Sequence, residues 1–430
     1  MSALRNHNKK AVFAWCLYDF ANSAFMTLVV TFIYSTYFTK AIAENEIVGA
    51  ALWSRGVTIS ALLVAFLSPV MGALADRGGY RKRFLVSMTA ISVLATAMLY
   101  TPLPGQTIKA LFWFVIANTA FEMAFVFYNA YLPDIALSHR IGRMSGYGWS
   151  LGFVGGLLCM LIAMIGFINT ETPWFGFSTE TGEHIRAANL LTAAWFAFFS
   201  IPIFIWIKDT PPKASRRYRE IIVSGFRQLR NTFREVKRYR RIIIFLIARL
   251  IYNDGLITVF AFAGIYAAGT YHFTMQEIMM LGVGLNIAAA IGAFGLGFLD
   301  DRIGGKKTVQ ISLIGLILAA ILAVFGSQKW HLWAGGVIAG IFSGPNQAAS
   351  RSLMGRLVPR EKENEFFGFY AFSGKATSFL GPLLFGILTE RLNTQRAGMF
   401  IVILFFICGS IILTFVNEKE GRERSKREYE

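Results

Sequence analysis

The chain has 430 residues, of which 55% are hydrophobic and 16% are charged, and its formal net charge is +17. A soluble protein has about a quarter of its residues charged, whereas the apolar residues here fall in runs of about twenty, the length that a helix needs to cross a bilayer. This composition excludes a soluble protein and predicts an all-α protein that crosses the membrane several times.

The excess of basic residues does not indicate a nucleic-acid-binding protein, because the lysines and arginines lie in short loops between apolar runs. The three cysteines lie inside apolar segments, where they cannot form a disulfide framework, and the five histidines lack the spacing of metal ligands. We therefore expect no cofactor, no metal and no nucleic-acid partner. An integral-membrane enzyme is not expected either, because no nucleophile–base pair is visible.

Twelve apolar spans follow one another along the chain. The first is too long for a signal peptide and has no cleavage site, so it is predicted to be the first transmembrane helix. The spans of the first half lie near residues 11–39, 53–75, 84–101, 109–132, 144–168 and 187–207. The spans of the second half lie near residues 242–268, 276–299, 308–326, 332–350, 366–389 and 396–416.

The spans predict a twelve-helix membrane protein built from two six-helix bundles. The predicted segments are an N-terminal bundle (1–207), a basic cytoplasmic linker (208–241), a C-terminal bundle (242–416) and a charged cytoplasmic tail (417–430). In the linker, apolar residues recur at helical spacing between basic ones, at Phe226, Leu229, Phe233 and Val236. Such an amphipathic basic helix suits an anionic membrane surface. It can also serve as a strap between the bundles, which is the interpretation we favour.

One short charged motif occurs twice, with Asp76 and Asp301 at equivalent positions 225 residues apart. The first loop motif is GALADRGGYRKR (72–83) and the second is GFLDDRIGGKK (297–307). A repeat at half the chain length predicts two related halves. Each motif ends an even-numbered span on the predicted cytoplasmic side, where its aspartate can pair with the next arginine or face the N-terminus of a neighbouring helix. The predicted cytoplasmic gate residues are Gly72, Asp76, Arg77, Gly79, Arg81, Gly297, Asp301, Arg302 and Gly304.

At these residues the chain resembles the major facilitator superfamily of secondary transporters, and the resemblance covers nearly the whole chain. It implies two six-helix bundles that rock about a central midplane site, with the loop motifs as cytoplasmic gates. Span 5 also loosely resembles the antiporter motif of that superfamily, without its proline, at Gly148, Gly152, Gly155 and Gly156. Close helix packing explains these glycines equally well.

Two further strings, WCLYDFANSAF (15–25) and FYNAYLPDI (127–135), resemble the vacuole effluxer family, a branch of that superfamily. Its fungal members are implicated in amino-acid efflux from vacuoles. The short, compact chain suits a bacterial inner-membrane protein. The same strings also resemble the glycoside–cation symporters, which place coupling carboxylates on span 2, where this chain has no acidic residue between Trp53 and Ala75.

Several ionisable and polar residues lie well inside the predicted spans. A charge at the centre of the bilayer costs about 2.5–3.5 kcal/mol, so each is expected to be paired or to face water. The resemblance places spans 1, 4, 7, 10 and 11 around the central cavity. The predicted substrate-binding or coupling residues are Asp19, Asn22, Glu122, Arg249, Asn253, Asp254, Asn346, Gln347 and Lys375.

Alternative roles remain open for the charged members of this set. Asp19 can bind substrate or form a structural ion pair with Arg249, and Arg249 and Lys375 can anchor a carboxylate or neutralise the acids. Asp254 lies five residues from Arg249 on a different helix face, so these two are not expected to pair. Glu122, midway along a cavity helix, is the preferred proton carrier.

A cavity with charges of both signs suits a zwitterion, because its carboxylate and its ammonium each need a partner of opposite charge. The sequence therefore predicts a monomeric secondary transporter that moves a small polar metabolite such as an amino acid, coupled to protons. The alternatives are a sugar or glycoside symporter and a membrane sensor on the same fold that does not transport. Residues 368–377 resemble a phosphate-binding loop but open a span rather than follow a strand, so transport is expected to be driven by a gradient.

The distribution of basic residues predicts the orientation of the chain. With both termini in the cytoplasm, the inside segments hold 33 of the 42 lysines and arginines and the outside loops hold six. Reporter fusions after Ile207 and Glu430 should therefore report the cytoplasm, and one near Thr179 should report the outside. A C-terminus outside the cytoplasm would contradict the twelve-span topology.

Overall fold

The computed structural model describes residues 9–137, 139–208, 227–228, 230–232, 234 and 238–418. The four apolar residues of the predicted linker helix and nearly all of the predicted tail lie outside the described residues. The regular structure of the described part is entirely helical. Ten of its helical stretches are long and apolar enough to cross a membrane.

Helices cover all twelve predicted spans. In the first half they are α1 (Lys9–Ala24), α2 (Tyr34–Tyr37), α3 (Glu46–Gly78), α4 (Arg81–Met98), α5 (Thr107–Ala130), α6 (Leu132–Ile135), α7 (Ile141–Ala163) and α8 (Glu183–Trp206). In the second half they are α9 (Arg240–Tyr271), α10 (Met275–Ile303), α11 (Gly305–Phe325), α12 (Lys329–Leu357), α13 (Glu363–Lys375), α14 (Leu380–Leu392) and α15 (Gln395–Thr414). The ten membrane-length stretches do not include α4 and α12, but these two helices coincide with predicted spans 3 and 10. The prediction of an all-α protein with twelve transmembrane helices is therefore confirmed.

Three spans differ from uninterrupted α-helices, since in span 5 a π-helical stretch at Met164–Ile168 follows α7. In span 1, π-helical stretches at Phe25–Phe32 and Phe38–Ile42 follow α1 and α2. In span 11, residues 376–379 form a turn that separates α13 from α14, so the span consists of two helices. Both kinds of interruption occur frequently where a transporter binds its substrate or ions.

Contacts divide the chain into two compact units. The first unit contains Met1–Leu67, Gly78–Tyr128 and Leu151–Ser215. The second unit contains Ser68–Arg77, Asn129–Ser150 and Arg216–Glu430. The second unit thus includes the last turns of α3 and the first turns of α7, both on the predicted cytoplasmic side, together with the helices from α9 onwards.

In the first unit, the residues of the WCLYDFANSAF string attach α1 to three other helices. The Trp15 indole donates a hydrogen bond to the Tyr128 carbonyl at 3.0 Å, and the two rings stack with centroids 4.7 Å apart. The Tyr18 hydroxyl is 2.7 Å from that of Thr89 on α4. The Phe20 ring stacks on Trp195 of α8 with centroids 5.1 Å apart. The string therefore places α1 at the centre of this unit.

Helix α7 packs against α1 through the glycines of span 5. A Cβ atom at Gly155 would overlap the carbonyl group of Phe20, and one at Gly152 would lie 2.7 Å from the Ser23 hydroxyl oxygen. A Cβ atom at Gly156 would meet the Thr27 hydroxyl in the same way. Small residues let two helix backbones approach closely, so packing accounts for three of these four glycines.

This packing predicts the effect of filling one glycine position. We expect Gly155→Ala to lower the apparent Tm of the purified protein by several degrees, because overpacking costs about 1–3 kcal/mol. Gly282→Ala is the matched control, since a Cβ at Gly282 meets no atom within 4 Å. Equal melting temperatures for the two variants in a thermal unfolding assay would contradict this account of the α1–α7 contact.

Candidate functional site

The first loop motif binds the N-terminus of α13. The Asp76 carboxylate accepts hydrogen bonds from the backbone N–H of Asn364 at 3.0 Å, the backbone N–H of Glu365 at 2.9 Å and the Asn364 side-chain amide at 2.6 Å. A carboxylate at this position satisfies N–H groups that have no partner within the helix and interacts favourably with the helix dipole. A Cβ atom at Gly72 would overlap the Asn364 carbonyl, so this close approach requires a glycine.

The second loop motif makes the same kind of contact with α7. Asp301 accepts from the backbone N–H groups of Gly142 at 2.9 Å and Arg143 at 3.3 Å. Its second oxygen forms an ion pair with Nε of Arg143 at 2.5 Å. The side chain of Arg302 is exposed, and the partner of Asp301 is therefore a neighbouring helix rather than the next arginine. Gly297 again lies at the contact, where a Cβ would be 3.1 Å from the Arg143 Cα.

The other predicted gate residues shape the two loops. Gly79 and Gly304 have φ angles of 66° and 92°, which disfavour residues with a side chain. Arg81 is buried, whereas the side chain of Arg77 lies outside the described part of the chain. Both motifs thus hold a carboxylate against a helix start by means of a glycine-permitted turn.

A buried ion pair next to the second motif was not anticipated from the sequence. Asp300 and Arg356 pair with each other, and the side chain of each is 1% exposed. Ser352 donates a hydrogen bond to Asp300, and Glu418 lies 3.6 Å from Arg356. Removing one partner of a buried pair costs about 3–5 kcal/mol because the other charge is left uncompensated. The Asp300–Asp301 doublet was the available signal, but the repeat draws attention only to Asp301.

Arg351 of α12 is a second buried cation that no sequence pattern pointed to. Its Nε donates to the Ser145 hydroxyl at 2.8 Å, and its Nη2 donates to the Ser145 carbonyl at 2.7 Å. Its Nη1 donates to the Asn129 side chain at 3.3 Å. Ser145 itself donates to the Ala348 carbonyl at 2.7 Å. Arg351 therefore joins α12 to the start of α7, although its position near a predicted loop suggested only a topology signal.

The predicted site residues of the first unit lie on α1 and α5. Asp19 and Asn22 are buried one helical turn apart, and Nδ2 of Asn22 has no hydrogen-bond partner. Asn118 donates a hydrogen bond to the Ser60 hydroxyl. Glu122, one turn further along α5, is partly buried. Asn118 thus has a packing role, while Asn22 retains a donor for another group.

In the second unit, Arg249 and Asn253 of α9 hold the end of α13. Nη1 of Arg249 donates to the Tyr370 carbonyl at 2.7 Å and to the Ser373 hydroxyl at 2.9 Å. The guanidinium carbon lies 3.6 Å from the centroid of the Tyr370 ring. Asn253 donates to the Gly374 carbonyl at 3.1 Å. These contacts hold the Arg249 guanidinium against the last residues of α13, which lie directly before the turn that interrupts span 11.

The remaining predicted residues of this unit separate into two groups. Asp254 is 2% exposed on α9, and its side chain approaches that of Thr377 in the turn of span 11. Lys375 is the last residue of α13 and follows the Gly374 that Asn253 contacts. Asn346 instead donates to the Ser312 hydroxyl of α11 at 2.9 Å and is fully buried, while Gln347 is partly buried. The second unit therefore brings four predicted residues to the interrupted span and turns Asn346 towards another helix.

Comparison with known proteins yields a family match over most of the chain. Residues 42–426 match the family described as "Vacuole effluxer Atg22 like". The chain is 28% identical over 424 residues to the uncharacterized MFS-type transporter YxiO of Bacillus subtilis (strain 168), and the aligned region covers 96% of each chain. It is 22% identical over 459 residues to autophagy-related protein 22 of Yarrowia lipolytica (strain CLIB 122 / E 150), and this aligned region covers 86% of this chain and 76% of the relative.

Solved structures share the fold. The major facilitator superfamily transporter FucP in the outward conformation superposes with a TM-score of 0.75 at 11% identity, over 96% of this chain and 99% of that chain. The proton:xylose symporter XylE bound to 6-bromo-6-deoxy-D-glucose superposes with a TM-score of 0.70 at 12% identity, over 98% of each chain. These similarities establish the major facilitator fold.

The two aspartate contacts predict how gate variants behave. Asp76→Asn and Asp301→Asn each remove a charge from a helix N-terminus, a contact of about 1.5–3 kcal/mol for charged hydrogen bonds. We expect a cysteine introduced at the buried Ala136, in a background without native cysteines, to be labelled about tenfold faster in each variant, the factor that corresponds to 1.4 kcal/mol. We also expect each aspartate variant to transport more slowly than the wild type while it still inserts into the membrane.

Arg302→Gln is the control for this experiment, because it removes an exposed basic residue from the same loop without removing the capping carboxylate. Unchanged labelling in both aspartate variants would show that the loop motifs act only as topology signals. Equal labelling in Arg302→Gln and Asp301→Asn would lead to the same conclusion.

Proposed function

The chain belongs to the Atg22-like vacuole effluxer family of major facilitator transporters, and we propose that it moves a small zwitterionic metabolite, an amino acid or a close analogue, by alternating access. We propose further that transport is coupled to protons and that the protein acts as a monomer in a bacterial inner membrane with both termini in the cytoplasm. Its two predicted bundles would then be the parts that alternate about the substrate.

The observation that carries this proposal is the position of Arg249. Its Nη1 is held by Tyr370 and Ser373, and no described protein group accepts a hydrogen bond from its Nε or Nη2. An arginine fixed in this way presents two donors to a planar carboxylate, which guanidinium groups bind in a bidentate manner. The interrupted span beside it supports a substrate role, since transporters place discontinuous helices at such sites.

Carboxylates supply partners for the ammonium end of the substrate. Asp254 lies in the same unit as Arg249 and is buried, while Asp19 is buried beside the unpartnered donor of Asn22 in the first unit. A zwitterion is the ligand that uses charges of both signs. A neutral sugar would not make use of charges of both signs, although the fold neighbour XylE is a proton:xylose symporter.

Glu122 is the proposed coupling residue. Its partial burial, midway along α5, suits a carboxyl group that loads and releases a proton as access alternates. Its neighbour Asn118 is occupied by Ser60, so the two α5 residues have separable roles.

The substrate proposal is tested with ligands that lack one charge. We expect thermal stabilisation of the purified protein by one or more amino acids, and loss of at least tenfold in affinity for their methyl esters and for their N-acetyl derivatives. Arg249→Lys keeps the positive charge but loses the planar guanidinium that can donate two parallel hydrogen bonds to a carboxylate. This variant should bind the amino acid about tenfold more weakly and discriminate less against the ester. The exposed Arg302→Gln serves as control.

Two outcomes would contradict this assignment. Equal binding of amino acid and ester would show that Arg249 does not anchor a carboxylate. Stabilisation by sugars or glycosides and not by amino acids would favour the sugar symporter, whereas binding without transport in proteoliposomes would favour a membrane sensor.

The coupling proposal makes a separate prediction. Glu122→Gln should abolish accumulation driven by a pH gradient in proteoliposomes but preserve exchange of labelled substrate without a gradient. Lys375→Ala and Asp19→Asn should impair exchange as well, because each removes a proposed substrate contact. If Glu122→Gln accumulates substrate at the wild-type rate, Glu122 is not the coupling residue.

A further inference from the structure

Three buried polar atoms without hydrogen-bond partners lie at the predicted outer end of the first unit. They are the hydroxyl oxygens of Tyr34 and Tyr37 and Nε of Arg186. The three side chains are 0%, 5% and 6% exposed, so bulk water does not satisfy them. Buried polar groups almost always have partners, and three such atoms in one place call for a ligand. We refer to these three residues as the Arg186 cluster.

The local structure explains why these side chains meet. Tyr34 and Tyr37 are the first and last residues of α2, with ring centroids 6.4 Å apart. Arg186 lies in the first turn of α8, interacts electrostatically with both tyrosines and approaches the Tyr37 hydroxyl without the geometry of a hydrogen bond. Gly182 caps α8 with φ at 65°, and a Cβ there would lie 2.9 Å from the Tyr37 ring and 3.1 Å from its hydroxyl oxygen. The start of α8 is thus pressed directly against Tyr37.

No ion pair neutralises Arg186 within the part of the chain that the structure describes. Its Nη1 donates to the Tyr100 carbonyl at 3.3 Å, which is a neutral acceptor. The neighbouring Glu183 accepts from the Tyr100 hydroxyl at 2.5 Å and from the Ser178 backbone N–H at 3.0 Å. Glu183 therefore accepts from other donors, and within the described residues it interacts with Arg186 at longer range without forming an ion pair.

The second half of the chain contains a matching cluster, in which both tyrosine hydroxyls and the arginine have backbone acceptors. Arg396 begins α15 as Arg186 begins α8, and it interacts electrostatically with Tyr266 and Tyr271 at the outer end of α9. Both tyrosine hydroxyls donate to the Ala323 carbonyl at 2.7 Å. Arg396 donates to the Val324 carbonyl. Backbone acceptors at the end of α11 therefore complete the second cluster.

From this difference we infer that the Arg186 cluster binds a small monoanion, either chloride or the carboxylate group of a small acid. Its free groups are a guanidinium N–H and two hydroxyls, beside the N-terminus of α8, and all of them can donate to one acceptor. An anion supplies the acceptor that α11 supplies in the other half and also neutralises the buried charge. Water would accept the hydrogen bonds but leave the charge of the buried Arg186 unmatched, whereas Arg396 is partly exposed and can be solvated.

This inference does not depend on the identity of the transported substrate. Arg186 is one of the six basic residues of the predicted outer loops, so the anion would come from the outer compartment. The ring centroid of Trp53 lies 6.1 Å from that of Tyr34, which makes tryptophan fluorescence a local reporter of the site.

The test measures stability and fluorescence of the full-length protein while chloride, bromide or formate replaces methanesulfonate at constant ionic strength. We expect the Tm to rise and the fluorescence to change, both saturably and with the same midpoint, for anions that the cluster accepts. A response to halides alone identifies a chloride site, and a response to formate alone identifies a carboxylate site.

Variants assign the response to the cluster. Arg186→Gln should abolish it, and the double variant Tyr34→Phe with Tyr37→Phe should raise the midpoint at least tenfold while keeping the aromatic packing. Arg396→Gln is the matched control and should leave the midpoint unchanged. If Arg186→Gln does not fold, the double phenylalanine variant decides. No saturable anion response in the wild type, or an unchanged midpoint in the double variant, would overturn the inference.

Discussion

The second unit depends on hydrogen bonds between an aspartate and the first backbone N–H groups of a helix. Asp76 makes them with α13 and Asp301 makes them with α7. A helix start that is buried without such partners would leave several N–H groups unsatisfied, at a cost that a membrane protein has few other ways to offset. The surrounding glycines and basic residues have their positions because this contact needs a close backbone approach and a turn.

Buried arginines recur in the structure, and their hydrogen-bond partners decide what each can do. Arg351 has acceptors for all three of its nitrogen positions, and Arg356 is paired with Asp300, so both stabilise helix packing. Among the residues that the structure describes, Arg249 finds acceptors for Nη1 alone, and the buried Nε of Arg186 finds no acceptor. Nε of Arg356 also lacks a partner, but Asp300 already neutralises that arginine, so we assign ligands to Arg249 and Arg186.

The internal repeat gives the protein a comparison with itself. The two loop motifs use the same aspartate contact, so the repeat has preserved that function in both halves. At the predicted outer ends of α2 and α9 each half has two tyrosines and an arginine, but the hydrogen-bond acceptors around them differ. Because packing alone completes the hydrogen bonds of the cluster in the second half, the acceptors missing from the Arg186 cluster are the part that we attribute to a ligand.

The amino-acid sequence by itself determined the helices, their number and the repeated loop motif, because apolar run length and the spacing of glycine, aspartate and arginine are local properties. It also singled out Arg249 and Asn253, since a polar residue in an apolar span is conspicuous. Tertiary structure decided which acceptor each charge meets, for example Arg143 rather than Arg302 for Asp301. Arg186 also emerged only there, because burial of a loop-end arginine leaves no local signal. For the interruption of span 11, Gly381 and Pro382 just after the turn were the available local signal, since a proline disrupts the helix at the residue four positions before it. Hydrogen bonds between distant helices depend on packing, which no local pattern in the sequence encodes.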